Sequence, residues 1–569
     1  MVTVCAVPVT VMFSKRMALH HGYSEGHSNG SRHLMKKVGG LFITAYLLLM
    51  FCVYPFYMKE GYVDIGEAKY EFFLYGSLGM TGILCVILFL YIGRSVYESF
   101  LGKRTYLPAW EKISVSSTDV FVCLYLAAVS VSSVFSKFRQ VAIWGTEGWH
   151  IGLVLWALLC GVYFLISRLW KKEVRIWIVA VAASAAVFLL GILDSFSFYL
   201  IPLDIREAGF ISTLGNINWF CGYLSVIAPI GICGWFFGES EFADLHRKKK
   251  ILKQSGAILY TILAFAVGLC QGSNGIFLWF GGLFFVLLWI GAAKREWLAN
   301  WFFMVFLWGL SAQIIRFLRL VFPGRYNYEL YNLCGYFTGN NLSLWIGAAG
   351  LVVYLILRRN FIKIEEGRRI RKLLILLAIV IILGWIFLSV VHTRTGRFGF
   401  LDAGLFLWNE NWGNGRGAAL KAAVMMFREM SAGQKLIGIG PDCFADYAYS
   451  IGKVAAELRG YFGASRLTNA HCEIVTSLIN TGILGTLFYL GIFLSFTARC
   501  FKYGNGNFMF YMPAVCVIGY LCYNLVSFVQ VLNLPFVVLV IAMGESMLRS
   551  EWAYQMKNYV SSEKQLQNG

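Results

Sequence analysis

Apolar runs long enough to cross a bilayer recur along almost the whole chain, separated by short polar segments and, once, by a long one. They fall at about 38–58, 71–93, 118–135, 149–168, 174–194, 215–238, 255–271, 274–292, 297–315, 341–358 and 373–391. Beyond the long polar segment, three more follow at 470–498, 508–527 and 531–548, with Asn533 and Pro535 interrupting the last. Such runs predict transmembrane α-helices, because a helix satisfies its own backbone hydrogen bonds inside hydrocarbon. The fold class expected is an all-α polytopic membrane protein with about fourteen transmembrane helices (roughly 12–14) and one large helical extracytoplasmic loop.

The segments outside this pattern have different characters. Residues 1–37 open with an apolar stretch too short to span and turn rich in His, Gly and Ser, which predicts a disordered cytoplasmic tail. Residues 549–569 read as a second cytoplasmic tail. Residues 392–469 form the loop, after helices 1–11 (38–391) and before helices 12–14 (470–548). Within the loop, Arg416 to Met430 has Leu420, Val424, Phe427 and Met430 at helical spacing. Gly438, Gly440 and Pro441 end that unit, and Phe444 to Arg459 reads as a second helix.

Composition sharpens the reading. With 58% hydrophobic and 14% charged residues, a soluble domain is excluded, and the 17% aromatics suit a polytopic protein with interfacial belts. The net charge of +19 is no nucleic-acid footprint, because it is sorted by loop. With the N-terminus inside, about 32 of the 49 Lys and Arg fall in inner segments, notably Arg247 to Lys250 and Arg358 to Lys372. Both termini are then cytoplasmic, and the large loop lies outside. That loop nevertheless keeps Arg394, Arg397, Arg416, Arg428, Arg459 and Arg466 against the bias, so some of them have a task. The helix centres carry essentially no Asp, Glu, Lys, Arg or His, which argues against an ion-coupled pump or carrier. The fourteen cysteines lie mostly in apolar runs and form no C-x-x-C pair.

Several small constellations fall on the expected outer side. Asn216 and Asn218 open a helix, as caps or as the polar lining of a ligand pocket, with Arg206 nearby. Asn274 lies in QGSNG, which is either a tight turn or an anion site at a helix N-terminus. WGTEGWHIGL carries Trp144, Trp149 and His150, most simply an interfacial aromatic belt. His471 opens the helix after the loop within N-A-H-C-E, preceded by Arg466 and followed by Glu473. No second His or carboxylate stands at a metal-ligand spacing from it, so acid–base chemistry without a metal is the better reading.

Taken in order, these pieces resemble the O-antigen ligase and polymerase superfamily, membrane glycosyltransferases that use polyprenyl-linked sugars. LGNINWFCGYLSVIAPI looks like the family's Gly-Asn-Pro-Asn helix, and QGSNGIFLW like its Ser-Arg-Gly helix start. GRGAALKAAVMMF with LIGIGPDCF is similar to its Gly-Arg…Gly-x-Gly-x-x-x-Phe loop, and NAHCEIVTSLINTGILG to its His-Asn-Glu…Gly-Ile-x-Gly signature. Three positions depart: Asn274 stands for the family arginine, Cys472 for the Asn after the histidine, and Ile217 for the Pro between the asparagines.

The resemblance implies a donor, an undecaprenyl-pyrophosphate glycan, and an acceptor that is a glycan, a lipid or a protein, at the outer face of a cytoplasmic membrane. It implies that His471 takes the proton of the acceptor hydroxyl, while Arg416, with Arg466 and Arg206, grips the phosphates. Arg206 or Arg325 would compensate for Asn274. Asn216, Asn218, Asn274 and Glu473 would complete the substrate site. Arginines can meet the developing phosphate charge without Mg²⁺, and the phosphoester supplies the energy, so no cofactor is expected. Ligase, polymerase and protein-glycosylating variants share this pattern, with the Gly-Arg and His-Cys-Glu pieces favouring a ligase. The alternative of another class is a lipid-linked sugar flippase without chemistry.

Overall fold

The computed structural model describes residues 28–101, 115–203, 209–238, 247–328, 332–359, 367–396, 406–504 and 507–568. Each of the apolar runs forms a helix, and the only sheet among the described residues pairs Phe210–Ile211 with Gly215–Asn216. Among the described residues nine helices are long and apolar enough to cross a membrane, or ten if Leu333–Gly339 and Leu342–Arg358, bent by 72°, make one broken span. Leu153–Leu169, Ile276–Gly291 and Phe508–Tyr523 are apolar but shorter. Leu534–Asn568 is long enough but carries Glu545, Arg549 and Glu551 within its first half. The chain is an all-α, multi-pass membrane protein. Helix ends differ from the sequence expectation at both termini. The first helix starts at Ser28, inside the expected tail, and the last continues to Asn568, with no Gly or Pro between 549 and 568 to stop it. Residues 1–27, Lys103, Arg104, Arg206 and Arg397 lie outside the described residues.

Helix Ile217–Phe236 is the hub. It is apolar on every face, and 89% of its spanning window is buried, the mark of a helix surrounded by others. Glycines let its neighbours close in, as is usual where lipid leaves no hydrophobic drive between helices. A Cβ on Gly222 would stand 2.1 Å from Asn533 Nδ2, one on Gly231 2.3 Å from the Tyr260 ring, and one on Gly519 2.6 Å from the Ser225 carbonyl. Helix Gly367–Thr395 is the opposite case, with 6% of its window buried, and stands at the periphery facing lipid nearly all round.

Hydrogen bonds sort the connections into two ends. At one, Asp119 accepts from Tyr163 Oη at 2.7 Å and pairs with Arg168 and Arg549, while Glu545 pairs with Arg499 at 3.0 Å. Arg371 donates to the Trp289 and Ile290 carbonyls there. At the other end, Tyr62 Oη donates to the Ser212 carbonyl, Asn327 to that of Asp194, and Asn332 to that of Gly272. The 406–472 subdomain sits on this second end. One cation near a helix start is fully buried: Lys69, in the second turn of helix Ile65–Phe100 and away from its centre. Its Nζ donates to the carbonyls of Tyr54 and Pro55 at 2.7 and 2.8 Å. Those carbonyls lie where the first helix ends through a π turn and a 3₁₀ turn at Pro55; that of Tyr54 also accepts from Tyr57 N–H at 3.3 Å and that of Pro55 from Thr213 Oγ1 at 2.8 Å.

Candidate active site

The loop subdomain is built from small residues. Helix Arg416–Glu429 follows Gly415, whose φ of +85° only glycine adopts freely. A Cβ on Gly417 would lie 1.9 Å from the Asn409 carbonyl oxygen. The buried face differs from the expected Leu420–Val424–Phe427 stripe: Ala418, Ala419, Ala422, Ala423 and Met426 face inward, with Met430 beyond them, and Val424 is 52% exposed. Alanines allow the close approach of Phe444, Ala448, Val454 and Leu458, which larger side chains would prevent. The expected Phe444 to Arg459 helix is two, Phe444–Ser450 and Gly452–Phe462, separated at the extended Ile451. An added helix, Ala432–Ile437, is set by a capping box of Ser431 and Gln434.

The subdomain is fastened to the helices by backbone. Helix Glu473–Tyr503 breaks at Gly482, with φ 70° and ψ −173°, a conformation closed to other residues. The break frees the carbonyls of Ile479 and Asn480, which accept from Ile439 N–H at 3.2 Å and Gly440 N–H at 2.9 Å. Ser132 Oγ also donates to the Asn480 carbonyl, and Ser136 Oγ to that of Ile439. Gly438 and Gly482 meet at this junction. A Cβ on the first would stand 2.2 Å from the Asn480 carbonyl oxygen, and one on the second 2.4 Å from Gly438 N.

Arg416 and His471 come together here. The Arg416 Nε donates to the Val526 carbonyl at 2.9 Å and a terminal nitrogen to that of Gly413 at 2.6 Å. It has no carboxylate partner among the described residues, so its charge is oriented but uncompensated. Burial pulls its guanidinium below the ordinary value. His471 is half-buried with φ +49°, held by its N–H donating to Asn469 Oδ1 at 2.9 Å and by Phe528 edge-on to its ring at 5.7 Å. Its ring nitrogens have no hydrogen-bond partner among the described residues. Burial first, and the Arg416 charge second, bring its pKa from 6.5 down to about 4. A neutral imidazole beside a guanidinium that has no carboxylate partner among the described residues can take a proton at one group and hold an anion at the other.

The other expected residues divide. Glu473 is buried beside His471, accepting from Tyr520 Oη at 3.1 Å, with its own N–H donated to the Asn524 carbonyl. Asn216 is a cap, its Oδ1 accepting from Asn218 N–H at 2.9 Å. Asn218 accepts at Oδ1 from Ser273 Oγ and at its carbonyl from Tyr523 Oη, both at 2.7 Å, which joins it to QGSNG. Asn274 accepts from Leu333 N–H at 2.8 Å, and Gln271 accepts from Ser273 N–H, so the turn is closed on itself rather than open to an anion. Gly275 nevertheless lies against Val526, whose carbonyl holds Arg416. Arg466 is not brought to His471: it pairs with Asp446 and lies over Tyr449. Arg325 covers the Phe198 ring.

Two groups escaped the sequence reading. Asp442, in GIGPD, has φ +62° and accepts at Oδ2 from Thr146 N–H at 2.7 Å and Ile151 N–H at 3.1 Å. Burial raises its carboxyl to about 6 despite those bonds. The Gly-x-Gly-Pro turn before it was a signal of a fixed backbone, though not of its partners. The 144–153 segment is only in part a belt: Trp144 is exposed, but Trp149 turns inward onto Phe528 and Trp219. His150 pairs with Glu67 and stacks on Tyr70. No group of three or more His, Cys, Asp or Glu suited to a metal occurs among the described residues. No protein-family model matches this chain, and no relative is found among characterised proteins.

Proposed function

We propose that the chain is a membrane glycosyltransferase that moves a glycan from a polyprenyl-pyrophosphate carrier to a surface acceptor, in the manner of an O-antigen ligase. The observation that carries this reading is the pairing of the His471 imidazole with the Arg416 guanidinium beside helix ends, the first without a ring hydrogen bond and the second without a carboxylate partner among the described residues. His471 accepts the proton of the acceptor hydroxyl as that oxygen attacks the anomeric carbon. Arg416 meets the charge on the departing pyrophosphate. Because two backbone carbonyls already aim its guanidinium, little reorganisation is needed when that charge forms. The four resembling motifs support the family reading, since their residues converge on this one end through Val526, Tyr523 and the Gly438–Gly482 junction. The fourteen-span topology, with this end outside, draws support from the Lys and Arg bias and from the alternation of connections between two ends. An O-antigen polymerase would use the same groups on a lipid-linked acceptor.

The test is transfer by purified protein given a polyprenyl-pyrophosphate glycan and an acceptor-bearing membrane extract, read as released polyprenyl pyrophosphate. His471→Ala lowers turnover by about 10²–10⁴-fold, and His471→Gln does not rescue it. Arg416→Ala loses most activity and Arg416→Lys recovers part, because an ammonium cannot reproduce the two-pronged phosphate contact. Near-normal turnover in well-folded His471→Gln would refute the base.

A further inference from the structure

Helix Gly367–Thr395 is fastened to the rest of the molecule near its two ends. At the first, a Cβ on Gly367 would stand 2.4 Å from the Ala292 carbonyl oxygen, and Arg371 Nε donates to the Trp289 carbonyl at 2.9 Å. At the second, Trp385 lies 5.4 Å from Trp408, and Ser389 and His392 are buried. Between these fastenings the helix stands clear of the bundle. Val380, Ile381, Ile382 and Leu383 are 55–61% exposed, and four consecutive residues at steps of about 100° look to every side. A Cβ on Gly384 would meet nothing within 4 Å. An apolar space therefore separates this turn of the helix from its neighbours.

The first fastening is strongly basic. Arg368, Arg371 and Lys372 share one helix face at i, i+3 and i+4. Lys294 follows directly on the turn that Gly367 touches, and Glu296 is the only acid within 289–300 or 367–384. Two of these cations are set in place. The carbonyls of Trp289 and Ile290 hold Nε and one terminal nitrogen of Arg371 over the Trp289 ring, and Lys294 lies 4.2 Å over the Trp297 ring. Arg368, Lys372 and Lys294 are exposed, and neither they nor Arg371 has a carboxylate partner among the described residues. From Arg371 to Val380 is nine residues, about 13 Å along the helix, which takes a lipid from its headgroup to its acyl chains. A ligand that suits both features carries a phosphate at one end and hydrocarbon at the other. Free phosphate would leave the apolar space unfilled, and a zwitterionic lipid would bring a further cation to a basic cluster. We propose that helix Gly367–Thr395 and the bundle hold an anionic phospholipid between them, its phosphate on Arg368, Arg371, Lys372 and Lys294 and its chains beside Val380–Gly384. Basic recesses between membrane helices suit such headgroups. This end lies opposite Arg416 and His471, so the site is separate from theirs and does not rest on the transfer reading.

The test is native mass spectrometry of the full chain, delipidated in detergent and titrated with dioleoylphosphatidylglycerol, dioleoylphosphatidylcholine or glycerol phosphate. Phosphatidylglycerol is retained saturably and raises the thermal midpoint; the choline lipid with the same chains and the headgroup alone do neither. Arg368→Gln and Lys372→Gln each weaken retention about fivefold. Their side chains are exposed, so the midpoint of the lipid-free protein stays where it was and loss of binding is not loss of fold. Phosphatidylglycerol with a diazirine in mid-chain labels Val380–Gly384 in preference to the lipid-facing Phe89 and Phe317. Equal retention of the choline lipid, binding of glycerol phosphate alone, retention indifferent to both substitutions, or labelling spread evenly over lipid-facing helices overturns the site.

Discussion

Replacing Arg416 with Met keeps most of the apolar stem and removes the charge, and its effect on His471 can be bounded from the structure. Burial is the larger cause of the His471 depression and the Arg416 charge the smaller. Removing the charge therefore returns less than half of the interval between 6.5 and about 4. His471 in Arg416→Met should titrate no higher than about 5, worth at most about 1.7 kcal/mol on the imidazolium. The assay is NMR of ¹⁵N-histidine-labelled protein in micelles across pH 3.5 to 8, with His471→Gln assigning the resonance. A wild-type midpoint near 6.5 would refute the buried, Arg-facing imidazole, and an unchanged midpoint in Arg416→Met would refute the pairing. The sign extends to stability. Because the folded state resists protonation, the unfolded chain binds more protons between pH 6.5 and about 4. The His471 contribution is thus complete above 6.5 and is lost as pH falls toward 4. Turnover carries the same signature, since a base of this kind stays active well below pH 6.5. Asp442, raised to about 6, is the other loop group in that range, and Asp442→Asn removes any limb that belongs to it.

Gly482→Ala places a Cβ 2.4 Å from Gly438 N in a backbone conformation reserved for glycine. It should cost on the order of 1–3 kcal/mol or more and lower the thermal midpoint; an unchanged midpoint would mean the break is not fixed there. Cysteines introduced at Glu410 and Arg368, in a chain freed of reactive thiols, should label with an impermeant maleimide from opposite sides of the membrane, Glu410 from outside. Labelling from one side would remove the topology on which the transferase reading stands. EDTA should leave transfer intact, because Arg416 can meet the phosphate charge; loss restored by Mg²⁺ or Mn²⁺ would refute this.

Local pattern determined a great deal of this protein. A run of twenty apolar residues has one low-energy conformation in lipid, so the helices and the multi-pass membrane architecture could be read from the sequence. Arg416 and His471 could also be singled out, because each stands at an element boundary marked by Gly or by a change from polar to apolar. What the sequence left open depended on contacts between residues far apart in the chain. Arg466 stands five positions before His471, yet Asp446 claims its charge, and Arg416 takes the place beside the imidazole. The inward face of the Arg416 helix is its alanine face because the neighbours approach too closely for leucine. The break at Gly482 forms because Ile439 and Gly440 arrive to bond the carbonyls it frees, with Gly438 packed against it. Trp149, Asp442 and Asn480 lie in three separate segments, and only the packing of loop against broken helix makes them walls of one pocket. Periodicity records which face of an element meets apolar surroundings. Which charge meets which, and which polar atom is left without a partner, is decided when the elements pack.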